Sequence, residues 1–499
     1  MAGRTDAPII DLVTAGFAPS APPDAPIYHR LRDHLRDLIR REHLHPGARL
    51  PSSRVLAQDL GVSRTTVELA YDELVDEGFV ERRRGSGTYV VELIPARPRP
   101  LAEVSRSSGS AATGPPALSA AGQRLASVHR FRDDPAAPAG FAPCLPGEDA
   151  FPIAAWNQLV VDTLHERGRR LQRSTPLLGD YALRTALADH LARTRRVQCD
   201  AGRVLILSST QQALGLLARL LLDAGDAMWL EEPGYLGARA VFEASGARVV
   251  PVPVDADGLA VEAGIEAAPE ARLAYVTPSH QYPTGVTLSA ARRVALLGWA
   301  RTAGRWVIED DYDSEFRHVG GPLAPLQSSD REGRVVYVGT FNKVLFPGLR
   351  LAYAVLPDAL VGPAERAVET FGGQPSSIVQ AAAATFVAQG HFAAHLRRTR
   401  DLYRTRRNAL LDAAGEGLGE VLEMGPSDTG LHVCARLERG VSDLDISARA
   451  AAAGLHVPPL SPCYLGAAAE PGLILGYAGV DERTLRRGVT QLTDLLREA

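Results

Sequence analysis

Lys343 is the only lysine in a chain of 499 residues, and the other 53 basic side chains are all arginine. Lysine is normally among the commonest residues. Three methionines and an excess of Ala, Gly, Pro and Arg point to mutational pressure toward GC-rich codons. Under that pressure, a lysine that supplies only positive charge can become arginine. The one that persists marks a position where arginine fails. A guanidinium does not deprotonate in a protein, whereas an ε-amine does, and it then attacks a carbonyl to form a Schiff base.

The surrounding motifs say which carbonyl. Apolar runs at 203–208, 227–232, 273–278, 305–310 and 335–340 alternate with amphipathic helical stretches. That spacing predicts an α/β layered domain whose parallel strands are buried on both faces. Ligands of such sheets sit beyond the carboxyl ends of the strands. SSTQQAL, EEPGY, PSHQYPTG, EDDYDSEF and GTFNKVLFPGLR all stand there. Ser209, Thr210 and Gln211 open a helix whose free backbone N–H groups form an anion cup. Thr340 and Arg350, flanking Lys343, can add a hydroxyl and a bidentate guanidinium to the same phosphate. An ionised Asp310 would keep a pyridinium nitrogen protonated, which makes the ring an electron sink. Tyr312 can hydrogen-bond a phenolic oxygen beside the imine, and Tyr235 offers an aromatic face. Each residue alone has a plainer reading as a cap, an ion pair or packing. Around a unique lysine they specify pyridoxal 5′-phosphate.

Other features bound the architecture. At 53.3 kDa the chain suggests two or three domains. It has no run of eighteen apolar residues, and its start lacks the layout of a signal peptide, so a soluble cytoplasmic protein with no membrane partner is expected. Cys144, Cys199, Cys434 and Cys463 show no CxxC or Cys/His ligand spacing. They read as small buried hydrophobes in a reducing compartment, and no metal site is expected. Residues 93–141 have the Pro, Ala, Ser, Gly and Arg composition of a flexible linker. The linker separates a domain at 25–92 from one at 142–497, and a short flexible tail precedes Ala25.

In the first domain a helical pattern covers 27–41. Ser52 or Ser53 can cap a short helix, Gly61 ends it, and Ser63 caps a second. The apolar stripe Val67, Ala70, Tyr71 and Leu74 packs inward. A helix-turn-helix follows, with Arg64, Thr65 and Thr66 on the free first turn, where base edges and phosphates are met. Residues 79–90 read as a strand, a glycine turn and a strand, a wing carrying three arginines. Net charge is −4 and the segment's own charges nearly balance, so the argument rests on where the charges sit.

The pattern PGxxLPSxRxLAxxLGxSRxTVxxAYxxLxxEGFxxxRxGSGTxV resembles the GntR family of bacterial DNA-binding domains. The resemblance implies that Arg54, Arg64, Thr65, Thr66 and the wing residues Arg84, Gly85, Gly87 and Thr88 contact double-stranded operator DNA as a dimer. The large region resembles the fold type I aminotransferases. The combination is similar to the MocR group of transcriptional regulators: an α+β winged helix-turn-helix followed by an α/β aminotransferase-like domain. That resemblance implies a homodimer, head-to-tail, whose large domain senses a small molecule with little or no turnover.

Two departures bear on the effector. Aminotransferases carry Asn before Pro-Thr-Gly, to bond the cofactor's phenolic oxygen; Tyr282 stands here. Tyr312 alone, or with His280 or Gln281, must then satisfy that oxygen. The arginine that clamps a substrate carboxylate is replaced by Ile474 in Gly472-Leu473-Ile474-Leu475-Gly476-Tyr477. Without the clamp, a regulator that senses pyridoxal phosphate itself and controls its synthesis or salvage is favoured. The alternatives are sensing of an amino compound joined to the cofactor, and residual aminotransferase activity. By position, His432, His456 or Ser461 can anchor another ligand.

Overall fold

The computed structural model describes residues 7–17, 25–83, 85–91, 118–128, 140–173, 175–302, 304–419, 421–466 and 469–497. They form two compact units, one up to residue 91 and one from residue 118.

The smaller unit contains α1 (Ala7–Thr14), α2 (Ile27–Arg40), α3 (Ser53–Leu60), α4 (Arg64–Asp76) and the hairpin β1 (Val80–Arg83) and β2 (Gly87–Val90). Residues spaced three and four apart make its core: Leu31, Leu35 and Ile39 from α2 meet Leu56 and Leu60 from α3. Val67, Ala70, Tyr71 and Leu74 from α4 complete it, as the stripe predicts. Ser52 Oγ accepts the Val55 N–H and Ser63 Oγ accepts the Thr66 N–H. Each cap stabilises its helix by about 1 kcal/mol. Gly61 closes α3 at φ 67°, a left-handed conformation that a side chain would strain. The expected tail before Ala25 is partly helix instead. Val13 of α1 is fully buried in the same core, with Ile9, Leu12 and Phe17 packed against it. Eight residues are too few to show a helical period, so this packing had no pattern to announce it.

The larger unit is built on an eight-stranded sheet. Its strands are β3 (Val204–Leu207), β4 (Ala227–Glu232), β5 (Arg248–Asp255), β6 (Gly258–Leu259), β7 (Leu273–Val276), β8 (Trp306–Asp311), β9 (Val335–Thr340) and β10 (Ala352–Val355). Their order is β3-β10-β9-β8-β7-β4-β5-β6. The expectation of parallel strands holds for β5-β4-β7-β8-β9. It fails at β10, which is antiparallel to both β9 and β3. The Lys343 loop between β9 and β10 is shorter than the dozen or more residues a parallel crossover needs, so the chain must turn straight back. Because β10 inverts direction twice, β3 points the same way as β9. The carboxyl ends of β3, β4, β7, β8 and β9 therefore share one edge.

A second sheet, β11 (Leu422–Met424), β12 (His432–Leu437) and β13 (Gly472–Gly476), is antiparallel throughout. The region 93–141 is not linker along its whole length. Ser119 caps a helix over Ala120–Ser127 that packs against the helix Leu236–Ser245. That helix buries none of its own side chains, so it carries no apolar stripe to read.

Candidate functional site

Asp310, near the end of β8, is the most informative atom group at the shared edge. Tyr275 donates a hydrogen bond to its Oδ2 at 2.7 Å. Its Oδ1 is buried with no hydrogen-bond partner among the described residues. Burial pushes the carboxyl up to about 7, against the Tyr275 hydrogen bond and the positive charge of Lys343. A lone carboxylate oxygen in such a place is costly unless a donor meets it. A protonated ring nitrogen is such a donor.

The other sequence-selected residues gather around it. Ser209 caps the helix Thr210–Leu221 and accepts the Gln212 N–H, which leaves the first-turn N–H groups of that helix without helical partners. Gln211 donates its side-chain amide to Tyr235 Oη at 3.0 Å. The Tyr235 ring meets Tyr282 edge-on at 5.6 Å, and Tyr282 meets Tyr312 edge-on at 6.1 Å. Tyr312 Oη lies 3.0 Å from His280 Nδ1. Thr340, buried at the end of β9, pairs with Ala352, which follows Arg350 by two residues. Arg350 itself is exposed and holds a left-handed conformation, φ 54°. Lys343 is half-buried, and its charge acts on both Asp310 and His432.

Some expectations do not survive the structure. The Gln281 side chain is not free to satisfy a cofactor oxygen. It donates to Glu231, Pro233 O and Tyr282 O, and it accepts from Thr284. Ser461 is consumed as well, because its Oγ donates to Asp443 at 2.7 Å. Ile474 lies opposite Cys434 in the β12–β13 ladder. It is buried with Cys434, Leu460 and Cys463, and Tyr282 packs against the group. The position read from the sequence as that of the carboxylate clamp is an apolar wall beside Tyr282. Immediately behind the site, Asp311 is paired with the buried Arg195 at 2.7 Å and accepts a hydrogen bond from Tyr337. Burial alone would raise the Asp311 carboxyl, but Arg195 outweighs it and holds the group below the usual range. Adjacent aspartates thus have opposite environments.

In the smaller unit, Arg54, Arg64 and Thr65 are exposed and Thr66 is half-buried on the first turns of α3 and α4. Arg64 pairs with Glu68 at 2.9 Å. Three acids beyond Glu68 are paired internally: Asp72 with Arg82 of the wing, Glu73 with Arg32, and Glu77, just past α4, with Arg36. Gly85 and Gly87 are exposed at the wing, while Arg84 lies outside the described residues. Thr88 is a correction, since its side chain is buried and its carbonyl accepts the Leu50 N–H. A residue that sequence reasoning missed is Arg49. It is exposed, bridges to Tyr89, and lays its guanidinium against Gly87, where a Cβ would lie 3.0 Å from Nε. No local pattern points to it, because its place at the wing depends on a strand pairing across forty residues.

These geometries define a winged helix followed by an aminotransferase-type fold, and comparison with known proteins agrees. Residues 27–90 match the family of bacterial regulatory proteins, gntR family, and residues 144–492 match aminotransferase class I and II. The chain belongs to the MocR-type transcriptional regulators, which join these two domains. It is 39% identical to the probable rhizopine catabolism regulatory protein MocR of Rhizobium meliloti, over 94% of this chain and 93% of that one. It is 32% identical to the pyridoxine biosynthesis transcriptional regulator PdxR of Corynebacterium glutamicum, over 93% and 95%. Among solved structures, it resembles a kynurenine aminotransferase of Pyrococcus horikoshii in complex with PMP, with a TM-score of 0.68 and 27% identity. That likeness covers 73% of this chain and 92% of the other. No helix of the described residues is long and apolar enough to cross a membrane.

Proposed function

We propose that the large unit binds pyridoxal 5′-phosphate at Lys343 and that occupancy changes how a homodimer of the chain, acting in the cytoplasm, holds its operator. The observation that carries this reading is Asp310 Oδ1, buried and without a hydrogen-bond partner among the described residues, at the edge where Lys343 stands. The cofactor, when bound, supplies an aldehyde for a primary amine and an electron-withdrawing ring.

In this reading Asp310 accepts a hydrogen bond from the protonated ring nitrogen, with Tyr275 donating to its second oxygen. Tyr235 and Tyr282 bound the ring, and Tyr312, steadied by His280, faces the phenolic oxygen. The helix start at Ser209, Thr210 and Gln211, together with Thr340 and Arg350, holds the phosphate. Arg54, Arg64, Thr65, Thr66 and the wing glycines Gly85 and Gly87 hold DNA, with Arg49 added beside Gly87.

Ile474 and its apolar neighbours Cys434, Leu460 and Cys463 offer an amino-acid carboxylate no guanidinium of their own. This supports slow or absent transamination and pyridoxal phosphate itself as the effector, in control of its own synthesis or salvage. The similarity to a regulator named for rhizopine catabolism favours a second reading, in which an amino compound acts together with the cofactor.

The test is a titration of pyridoxal phosphate, alone and with candidate amines, into a gel-shift assay on DNA upstream of the gene. The wild type should respond to the cofactor alone. Lys343→Ala should lose both the absorption of lysine-bound cofactor and the response, yet bind DNA as tightly as the cofactor-free wild type. An unchanged absorption band in Lys343→Ala defeats the proposal. A response only when an amine is added selects the second reading.

A further inference from the structure

Cys144, Asp313 and His432 come from three distant segments, yet their side-chain ligand atoms all lie within 4.8 Å of one another, and all three residues are buried. We propose that they form a binding site for a divalent transition metal of the zinc type, next to the cofactor pocket. The inference does not rest on the proposed effector, because the three residues stand together whatever the pocket holds.

Several features suit a metal. His432 Nε2 lies 3.2 Å from Pro283 O. Donating its proton there leaves the Nδ1 lone pair facing Cys144 Sγ at 3.6 Å. A backbone carbonyl behind a ligand imidazole is the usual outer support of a metal site. Tetrahedral zinc with bonds of about 2.3 Å to sulfur and about 2.0–2.1 Å to nitrogen sets sulfur and nitrogen roughly 3.6 Å apart. Asp313 has its own outer partner, since both carboxylate oxygens lie 3.0 Å from His280 Nδ1. Thiolate, imidazole and carboxylate together suit zinc better than magnesium or calcium, which prefer oxygen alone. Three protein ligands leave a fourth position for water or a ligand oxygen.

The backbone also favours a purpose for the thiol. Cys144 holds φ 56°, the left-handed region where glycine sits without strain and a side chain does not. Gly430 closes the group from the other side. Any Cβ there would collide with the His280 ring and would lie 2.6 Å from Asp313 Oδ2.

The experiment uses full-length protein, stripped with chelator and free of cofactor. Zinc(II) is titrated by calorimetry, and cobalt(II) serves as a spectroscopic probe. The wild type should bind one zinc per chain, and its cobalt complex should show a thiolate charge-transfer band. Cys144→Gly relieves strain as it removes the ligand, so it should fold, lose the band and bind zinc at least about tenfold more weakly. Asp313→Asn should weaken zinc binding with the thiolate band retained, and Cys199→Ser should bind as the wild type does. Failure of the wild type to bind zinc saturably overturns the proposal. So does wild-type affinity in both Cys144→Gly and Asp313→Asn, or loss of binding in Cys199→Ser.

Discussion

The two units handle charge in opposite ways. In the winged-helix unit the ion pairs beside the expected DNA contacts lie open to water; Arg64 and Glu68 are 67% and 41% exposed. In the aminotransferase-like unit, Arg195 and Asp311 are 3% and 2% exposed, and Asp310 keeps an unpaired oxygen in the interior. Exposed pairs contribute about 0–1 kcal/mol, so Arg64 can leave Glu68 for a phosphate at little cost. Buried charges cannot be reassigned so cheaply, because an orphaned one loses several kcal/mol of solvation. One unit is therefore built to exchange partners along a nucleic acid. In the proposed reading, the other waits for one partner of defined shape.

The sharpest way to break this comparison is to place a charge in the apolar wall. Ile474→Arg should destabilise the protein by about 3–5 kcal/mol in denaturant unfolding, since it forces a guanidinium among Cys434, Leu460 and Cys463. A neutral result would show that the wall is open to solvent.

Acidity gives the next largest effect. Burial raises Asp310, Glu309 and Glu231 to about 7. These groups stay protonated in the folded protein while the unfolded chain has released its protons. Their stabilisation is present at low pH and is lost as pH rises from about 4 to about 7, at roughly 1.4 kcal/mol per pH unit for each group. Cofactor-free Asp310→Asn should lose less stability across that window than the wild type. An Asp310→Asn slope equal to that of the wild type would mean that Asp310 is ionised without the cofactor.

Effects on the DNA side should be smaller and should leave the large unit untouched. Arg64→Ala is expected to weaken operator binding by about 1–3 kcal/mol with unchanged cofactor spectra. Altered spectra would refute the division of labour. Smallest of all, Glu68→Ala should tighten operator binding by no more than about 1 kcal/mol, by releasing Arg64 and removing a negative charge. Weaker binding in Glu68→Ala would show that Glu68 orients Arg64 for DNA.

Legibility in the sequence followed the range of the interactions. The α4 stripe, the Ser63 cap and the apolar runs of β4, β7, β8 and β9 are local periodicities, so they could be read directly. The Lys343 loop and Asp310 could be read because one follows a strand and the other stands near a strand's end. By contrast, the short helix α1 is too brief to show a period, and its burial depends on partners in the helices that follow it. Gln281 and Ser461 looked available for ligands because their hydrogen-bond partners, Glu231 and Asp443, are 50 and 18 residues away. Thr88 looked like a DNA contact because a glycine turn does not say which strand residue points inward.

Sequence alone determined the two-domain order, the helix-turn-helix, the unique amine at Lys343 and the absence of an arginine at position 474. Each is a matter of residue identity or short-range spacing. Tertiary structure alone decided that Asp310 keeps a bare buried oxygen, that Ile474 is sealed among Cys434, Leu460 and Cys463, and that Cys144, Asp313 and His432 meet. Electrostatic and ligand chemistry depends on distances of a few ångströms between side chains that are not neighbours in sequence, and only the folded chain sets those distances.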